Sequence, residues 1–292
     1  MADYYVLQQP PLRQKCCSSA LARATCAVAL IGATAFLLSV TLRASADSSP
    51  RQSERCGPGK ILITGYEAWG DLSHNPAEDV ARSLHLQCAG KYRIESWTLP
   101  VSETGARRTA DLLESRTEEA PWVAIIHLGF ESAAKGLKLE VVAINVRAQH
   151  PRLQEPGGAE AIGEQELDKQ GRCSARADSE IERDAPCLLA TTAPLGLLDF
   201  PLIQETNATQ ETVEMWSRDG GTFYCNEVYF RTLHVVRRKA LMPHLGRGAP
   251  PGALLPVVFV HLPPAERGGL GGERGRDAAE FVLDIAKKMT LQ

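Results

Sequence analysis

Cys225, His261 and Glu140 are the three side chains in this sequence from which a reaction could be assembled. Cys225 ends the run Ser217-Arg-Asp-Gly-Gly-Thr-Phe-Tyr-Cys225, in which a strand meets two glycines and the chain then turns into a helix. A thiol at a helix amino terminus faces the positive end of the macrodipole, which favours the thiolate. Backbone N–H groups at that end can also receive an oxyanion. Taken singly, a buried structural cysteine explains the position equally well. His261 closes the apolar strand Val257-Val-Phe-Val-His261, at the end where open α/β sheets place their ligands. A satisfied core histidine is the plainer reading. Glu140 lies in Lys138-Leu-Glu140-Val-Val-Ala-Ile-Asn145, and a carboxylate buried among apolar strand residues is costly unless paired. A surface-facing acid is the plainer reading there. Together, a thiol, an imidazole and a carboxylate at three element boundaries are the parts of a cysteine hydrolase, in the chain order Glu, Cys, His.

Other chemistries find no support. There is no C-x-x-C pair and no H-E-x-x-H, so neither a metal site nor a cofactor is expected. The glycine-rich stretch Gly268–Gly275 does not match G-x-G-x-x-G and reads as a flexible loop. Arg237-Arg238-Lys239 ends a helix, where cations favour the dipole, and reads as a solvated terminus.

The elements that must position the three residues alternate between strand and helix, which defines an α/β domain. Lys60–Thr64 reads as a buried strand. Asn75 is the N-cap of a helix with Pro76 at its first position and Glu78 completing a capping box, and this helix is expected to end near Leu86. Further strands are expected at Tyr92–Val101, Trp122–Leu128, Leu137–Val146, Val213–Ser217 and Pro256–His261. Helices are expected at Ser102–Arg116 and Cys225–Leu241, and a closing amphipathic helix carries Phe281, Val282, Ile285 and Met289 on one face. Between about 149 and 189 the pattern fails, and the stretch reads as a surface insertion. The product is a single domain over residues 60–292, with no internal repeat.

The composition agrees: 292 residues with 44% hydrophobic and 23% charged exclude a disordered tail, a collagen-like repeat or a polytopic membrane protein. The net charge of -3, with no basic stripe, argues against nucleic acid as a partner, and none is expected. Residues 24–42 run nineteen residues without a charge between Arg23 and Arg43. Such a run spans about 30 Å of hydrocarbon as a helix. With Arg13, Lys15 and Arg23 ahead of it, residues 1–23 are expected in the cytoplasm, 24–42 as a transmembrane signal anchor and 43–59 as a linker. The domain is then expected in the secretory lumen or outside. The alternative is secretion after cleavage near Ala46, in the small-residue pattern Ala44-Ser45-Ala46.

The sequence also resembles a known family, the pyroglutamyl-peptidase I cysteine peptidases. The family's pattern glycine–aromatic–x–Pro–aromatic–glycine after the first strand is similar to Gly65-Tyr-Glu-Ala-Trp-Gly70, and its following Asn-Pro to Asn75-Pro76. Its Glu-x-Val-Ala-Ile-Asn segment resembles Glu140–Asn145, its nucleophile segment Ser217–Asn226, and its histidine segment Val258–Pro264. The resemblance implies a three-layer α/β/α sandwich around a mostly parallel sheet and removal of an amino-terminal pyroglutamyl residue from peptides. On it, Cys225 is the nucleophile, His261 the general base and acid, and Glu140 the residue that orients the imidazole. Tyr66 and Trp69 stand at the ring-packing positions for the lactam. Two departures matter: Ala68 replaces the proline, and the family's arginine after Ala-Ile-Asn falls on His150, with Arg147 and Arg152 nearby. A second reading is a catalytically weak or inactive member that binds peptide amino termini, and a third is an unrelated α/β hydrolase. The oligomeric state is left open.

The eight cysteines divide accordingly. Cys16, Cys17 and Cys26 belong to the membrane-proximal segment. Of the other five, Cys225 must stay reduced if it is the nucleophile. Cys56 with Cys88 and Cys173 with Cys187 are the expected pairs, although four cysteines allow three connectivities.

Overall fold

A computed structural model describes residues 56–147, 180–198, 203–205, 212–244, 252–264 and 273–291. Its centre is a run of parallel strands: β1 (Lys60–Tyr66), β3 (Tyr92–Leu99), β4 (Ala124–Phe130) and β10 (Val257–Leu262). They lie in the order β3-β1-β4-β10. β2 (Cys88–Ala89) adds an antiparallel edge to β3. Beyond β10 the sheet turns mixed. β5 (Lys138–Ile144) pairs antiparallel with β10 and with β6 (Leu188–Ala190), while β9 (Trp216–Asp219) joins β5 in parallel. A separate hairpin is formed by β7 (Ile203–Glu205) and β8 (Thr212–Glu214). The fold is a mixed α/β fold.

Strand parity distributes the core. Ile61, Ile63, Ile126, Leu128, Val258 and Val260 face one side. Helices α1 (Pro76–Ser83) and α4 (Glu273–Lys288) contribute Ala77, Val80, Ala81, Val282 and Ile285 to that side, and Met289 joins them just past α4. Leu62, Ile125, Val257 and Phe259 face the other. There α2 (Glu103–Glu114) and α3 (Tyr224–Arg238) contribute Ala106, Ala110, Leu113, Tyr229, Phe230 and Leu233. Strands buried on both faces need apolar residues at every position, which is why β1 and β10 read as continuous hydrophobic runs. Each fully buried Leu, Ile or Val among them contributes about 1.5–3 kcal/mol.

Several local expectations are corrected. Asn75 does cap α1, accepting from the Ala77 N–H at 2.9 Å, but Glu78 turns to Arg82 at 2.6 Å and to Thr98 instead of back to the cap. The helix stops at Ser83, and the chain is left-handed at Leu86 (φ 64°). Val213–Ser217 is not one strand: β8 ends at Glu214 and β9 starts at Trp216. Gly275 lies within α4 and not in a loop. The basic end of α3 is tied down as well as solvated. Arg237 donates to the Ala190 carbonyl at 2.7 Å, and Arg238 and Lys239 bind Glu114.

Most of the expected insertion, and all of the expected cytoplasmic segment and membrane anchor, lie outside the described residues. Among the described residues no helix is long and apolar enough to cross a membrane. The Cys56–Cys88 disulfide is present and ties the residue ahead of β1 to β2. Cys187 is also disulfide-bonded, while its expected partner Cys173 is outside the described residues.

One buried histidine belongs to the sheet itself. His127 on β4 lies opposite Thr64 on β1. Its Nδ1 is 2.8 Å from the Thr64 hydroxyl and its Nε2 is 3.1 Å from the Thr232 hydroxyl. Thr232 already donates to the Val228 carbonyl, so it accepts from Nε2–H, and Nδ1 accepts from Thr64. Burial lowers the His127 pKa to about 3. The folded state therefore resists a proton that the unfolded chain takes up near pH 6.5. Stability from this group is full above pH 6.5 and is lost as pH falls toward 3, at about 1.4 kcal/mol per pH unit. Urea unfolding between pH 6 and 4 is expected to show this slope in the wild type beyond that of His127→Asn. Equal slopes for the two proteins would refute it.

Candidate active site

Phe259 and His261 are two apart on β10 and project to the same face. β5 places Glu140 opposite Phe259 and Lys138 opposite His261. Glu140 and His261 are thus diagonal neighbours on one face, a separation that long side chains bridge. The His261 Nδ1–H donates to Glu140 Oε1 at 2.7 Å. Both groups are withdrawn from water, with 4% of His261 and 1% of Glu140 exposed, so the surface-facing reading of Glu140 is excluded.

Cys225 is the second residue of α3 and the one free cysteine among the described residues. Its thiol is close enough to the imidazole to count, with Glu140, among the groups that shift the His261 pKa. Burial presses the His261 pKa down, but the hydrogen bonds to Cys225 and Glu140 and their negative charges outweigh it and raise the pKa to about 10. The imidazole is therefore held as an imidazolium between two acids.

Four further residues fix this alignment. Asn226 imitates a strand residue: its side-chain carbonyl accepts from the Ile144 N–H at 2.9 Å, and its amide donates to the Ile144 and Val146 carbonyls. This stitches the start of α3 to the end of β5. Gly129 lies opposite His261 on β4. A Cβ there would stand 2.8 Å from Cys225 Sγ and 2.6 Å from the Phe259 ring, so only glycine leaves room for the thiol. Gly220 backs the His261 ring, where a Cβ would lie 3.4 Å from Cε1. Tyr229 donates its hydroxyl to the Glu140 carbonyl at 3.1 Å. Sequence reading met Gly220 and Asn226 only as part of the segment around Cys225 and assigned none of the four these contacts. The glycine ending the third strand and the Asn beside Cys225 were visible, but their partners depend on register.

The two expected ring-packing residues differ from each other. Tyr66 is buried and donates its hydroxyl to the Tyr224 carbonyl at 2.7 Å, anchoring the first residue of α3. Burial pushes its pKa well up, helped by the neighbouring charges of Cys225, Glu227 and Tyr224. Trp69 is half-buried and meets Phe130 edge-on, with centroids 5.9 Å apart. Arg147 does not stand free: it holds Glu227 and Glu103, each at 3.3 Å. Glu227 is buried two residues after Cys225 and is also gripped by Arg231, which in turn binds Glu182. His150 and Arg152 are outside the described residues.

A carboxylate, an imidazole and a free thiol brought together in a mixed α/β fold are the side chains that a cysteine hydrolase uses. Residues 59–249 match the peptidase family C15, pyroglutamyl peptidase, and the chain belongs to that family. It is 29% identical to the pyrrolidone-carboxylate peptidase of Thermococcus litoralis, over 70% of this chain and 76% of that protein. To the pyrrolidone-carboxylate peptidase of Halalkalibacterium halodurans it is 28% identical, over 79% of this chain and 96% of that one. The solved structure of the Thermococcus litoralis pyrrolidone carboxyl peptidase is similar at TM-score 0.50 and 25% identity, covering 80% of this chain and 93% of that one. The pyroglutamyl peptidase I of Bacillus amyloliquefaciens, at TM-score 0.54 and 17% identity over 80% and 96% of the two chains, shares the fold.

The family match begins at residue 59. The relatives are matched through the peptidase domain, and no described helix suits a membrane. The placement expected from residues 24–42, anchored with the domain in the secretory lumen or secreted after cleavage, is therefore corrected and withdrawn.

Proposed function

We propose that this enzyme removes an amino-terminal pyroglutamyl residue from peptides through a thioester on Cys225. The observation that carries the reading is the alignment of Glu140, His261 and a free Cys225. Cys225 Sγ attacks the carbonyl that joins the pyroglutamyl residue to the next amino acid. The oxyanion is received by first-turn N–H groups of α3, which lack partners within the helix. As the C–N bond breaks, the His261 imidazolium gives its proton to the leaving amine. Neutral His261 then takes a proton from water, the hydroxide attacks the thioester, and Cys225 departs as thiolate. Glu140 holds the ring's tautomer and orientation and balances its charge.

The lactam is small, flat and uncharged, so it suits an aromatic wall. Trp69, half-buried, and Tyr66, buried against the first residue of α3, are the two aromatics assigned to that wall. In this reading residues 60–292 form one three-layer α/β/α sandwich domain, interrupted by the insertion at about 149–189. The intact carboxylate–imidazole–thiol row favours the enzyme over a member that only binds peptide amino termini.

The full chain is expected to release coumarin from a pyroglutamyl-coumarin amide but not from the prolyl amide, whose ring lacks the lactam carbonyl. Prior alkylation with iodoacetamide is expected to stop the release. Absence of release, or release unaffected by alkylation, would sink the proposal.

A further inference from the structure

A second carboxylate stands beside the Glu140–His261 pair. Glu131 directly follows β4, and its N–H donates to the Leu262 carbonyl at 3.0 Å, one residue past His261. One oxygen of Glu131, one of Glu140 and a ring nitrogen of His261 lie within 4.8 Å of one another. This donor set has the chemistry of a cation site, but the protein supplies its own cation. Lys138 Nζ holds both oxygens of Glu131, at 2.8 and 2.9 Å, and Lys138 is the residue opposite His261 on β5.

The need for that cation follows from Glu140. Its Oε2 is buried without a hydrogen-bond partner, so its charge rests on His261 through Oε1 alone. The groups around it are few. His261 faces it from β10, with Cys225 of α3 beyond the ring. Tyr229 reaches its backbone carbonyl from α3, and Ser217, uncharged, lies opposite on β9. Glu131 is thus a second carboxylate beside the same imidazole. Like charges this close disfavour one another's ionised form, and a bare Glu131 would also draw on the same imidazolium.

We propose that Lys138 is a positioning residue of the active site: by holding both oxygens of Glu131 it keeps that carboxylate from competing with Glu140 for His261 and for protons. This rests on the reading of Cys225, His261 and Glu140 as the reacting row. Lys138 does not touch substrate; it acts through Glu131.

The test compares the full-length wild type with Lys138→Met, Lys138→Arg, Glu131→Gln and Lys138→Met/Glu131→Gln. Two profiles are recorded from pH 4 to 9: kcat/KM on the pyroglutamyl-coumarin amide, and the rate of iodoacetamide alkylation at Cys225 read by peptide mass spectrometry. Lys138→Met is expected to move the acid limb of both profiles up by about one pH unit, a roughly tenfold loss of rate on that limb. The double variant returns the limb to its wild-type place, Lys138→Arg keeps it there, and Glu131→Gln does not raise it. An acid limb unmoved in Lys138→Met, or one not restored in the double variant, overturns the proposal. A merely structural role for Lys138 would lower rates at every pH without moving the limb. A wild-type chain that fails to cleave, while the alkylation profiles of the variants shift as described, would overturn the pyroglutamyl reading and leave this inference standing.

Discussion

Cys225→Ala is expected to lower pyroglutamyl release at least ~10³-fold, because the alternative nucleophile, water, lacks both the thiol's reactivity and its fixed position. The thiol is the single reacting atom that the chain contributes covalently. The remaining groups still bind the lactam and stabilise an oxyanion, so residual catalysis over water is expected while the acyl-enzyme is not. Thermal unfolding should change little, since Cys225 is partly exposed and Asn226 still stitches α3 to β5. The imidazole reports the same event independently. Without the hydrogen bond and charge of Cys225, His261 should bind its proton less tightly than the pKa of about 10 in the wild type, measurable by NMR of the ring. A variant that keeps its turnover, or one in which the imidazole titrates unchanged, contradicts the assignment.

Glu140→Gln carries the second large effect. The substitution keeps the shape but removes the charge 2.7 Å from His261 Nδ1. A neutral amide can also present its N–H₂ to the ring and favour the wrong tautomer. A fall in kcat of roughly 10²–10⁴ is expected, the range associated with loss of an orienting carboxylate. The sign of its pH dependence follows from the raised His261 pKa. Stability from the imidazolium is fully present below the unfolded value of about 6.5 and is lost as pH rises through about 10. Glu140→Gln should therefore be less stable than wild type in urea at pH 7, with the gap narrowing above pH 10. Wild-type kcat in this variant, or a gap that widens with alkali, would count against Glu140.

These three groups were legible because each carries a local signature: a thiol two residues into a helix, a histidine ending a strand, an acid inside an apolar run. The main strands were legible for a related reason, since parity and burial on both faces leave their mark residue by residue. What escaped depends on register between distant segments. Gly129 reads as an ordinary strand end until β4 is set beside β10 and Cys225 is laid over it. Tyr66 reads as a pocket aromatic, but its hydroxyl is committed to the backbone of α3. Glu78 has the spacing of a capping box and yet lies within reach of Arg82 and Thr98, which win it. Lys138 and Glu131 look like two solvated charges, and only the β5–β10 pairing brings them to the imidazole. The apolar run at 24–42 misled in another way, because hydropathy alone specified a location that the rest of the chain does not support.

Asn145 and Asn226 together have a consequence for how this protein tolerates change. Asn145, at the end of β5, accepts from the Glu182 N–H and donates to the Glu182 and Ala185 carbonyls, and its own N–H binds the Cys187 carbonyl. Asn226 closes the same strand end from the side of the nucleophile. The chain that leaves after Arg147 thus returns at Glu180 to a neck sealed by side-chain amides. The end of β5 is therefore expected to be intolerant of substitution at either asparagine, because each side-chain amide satisfies several backbone groups there.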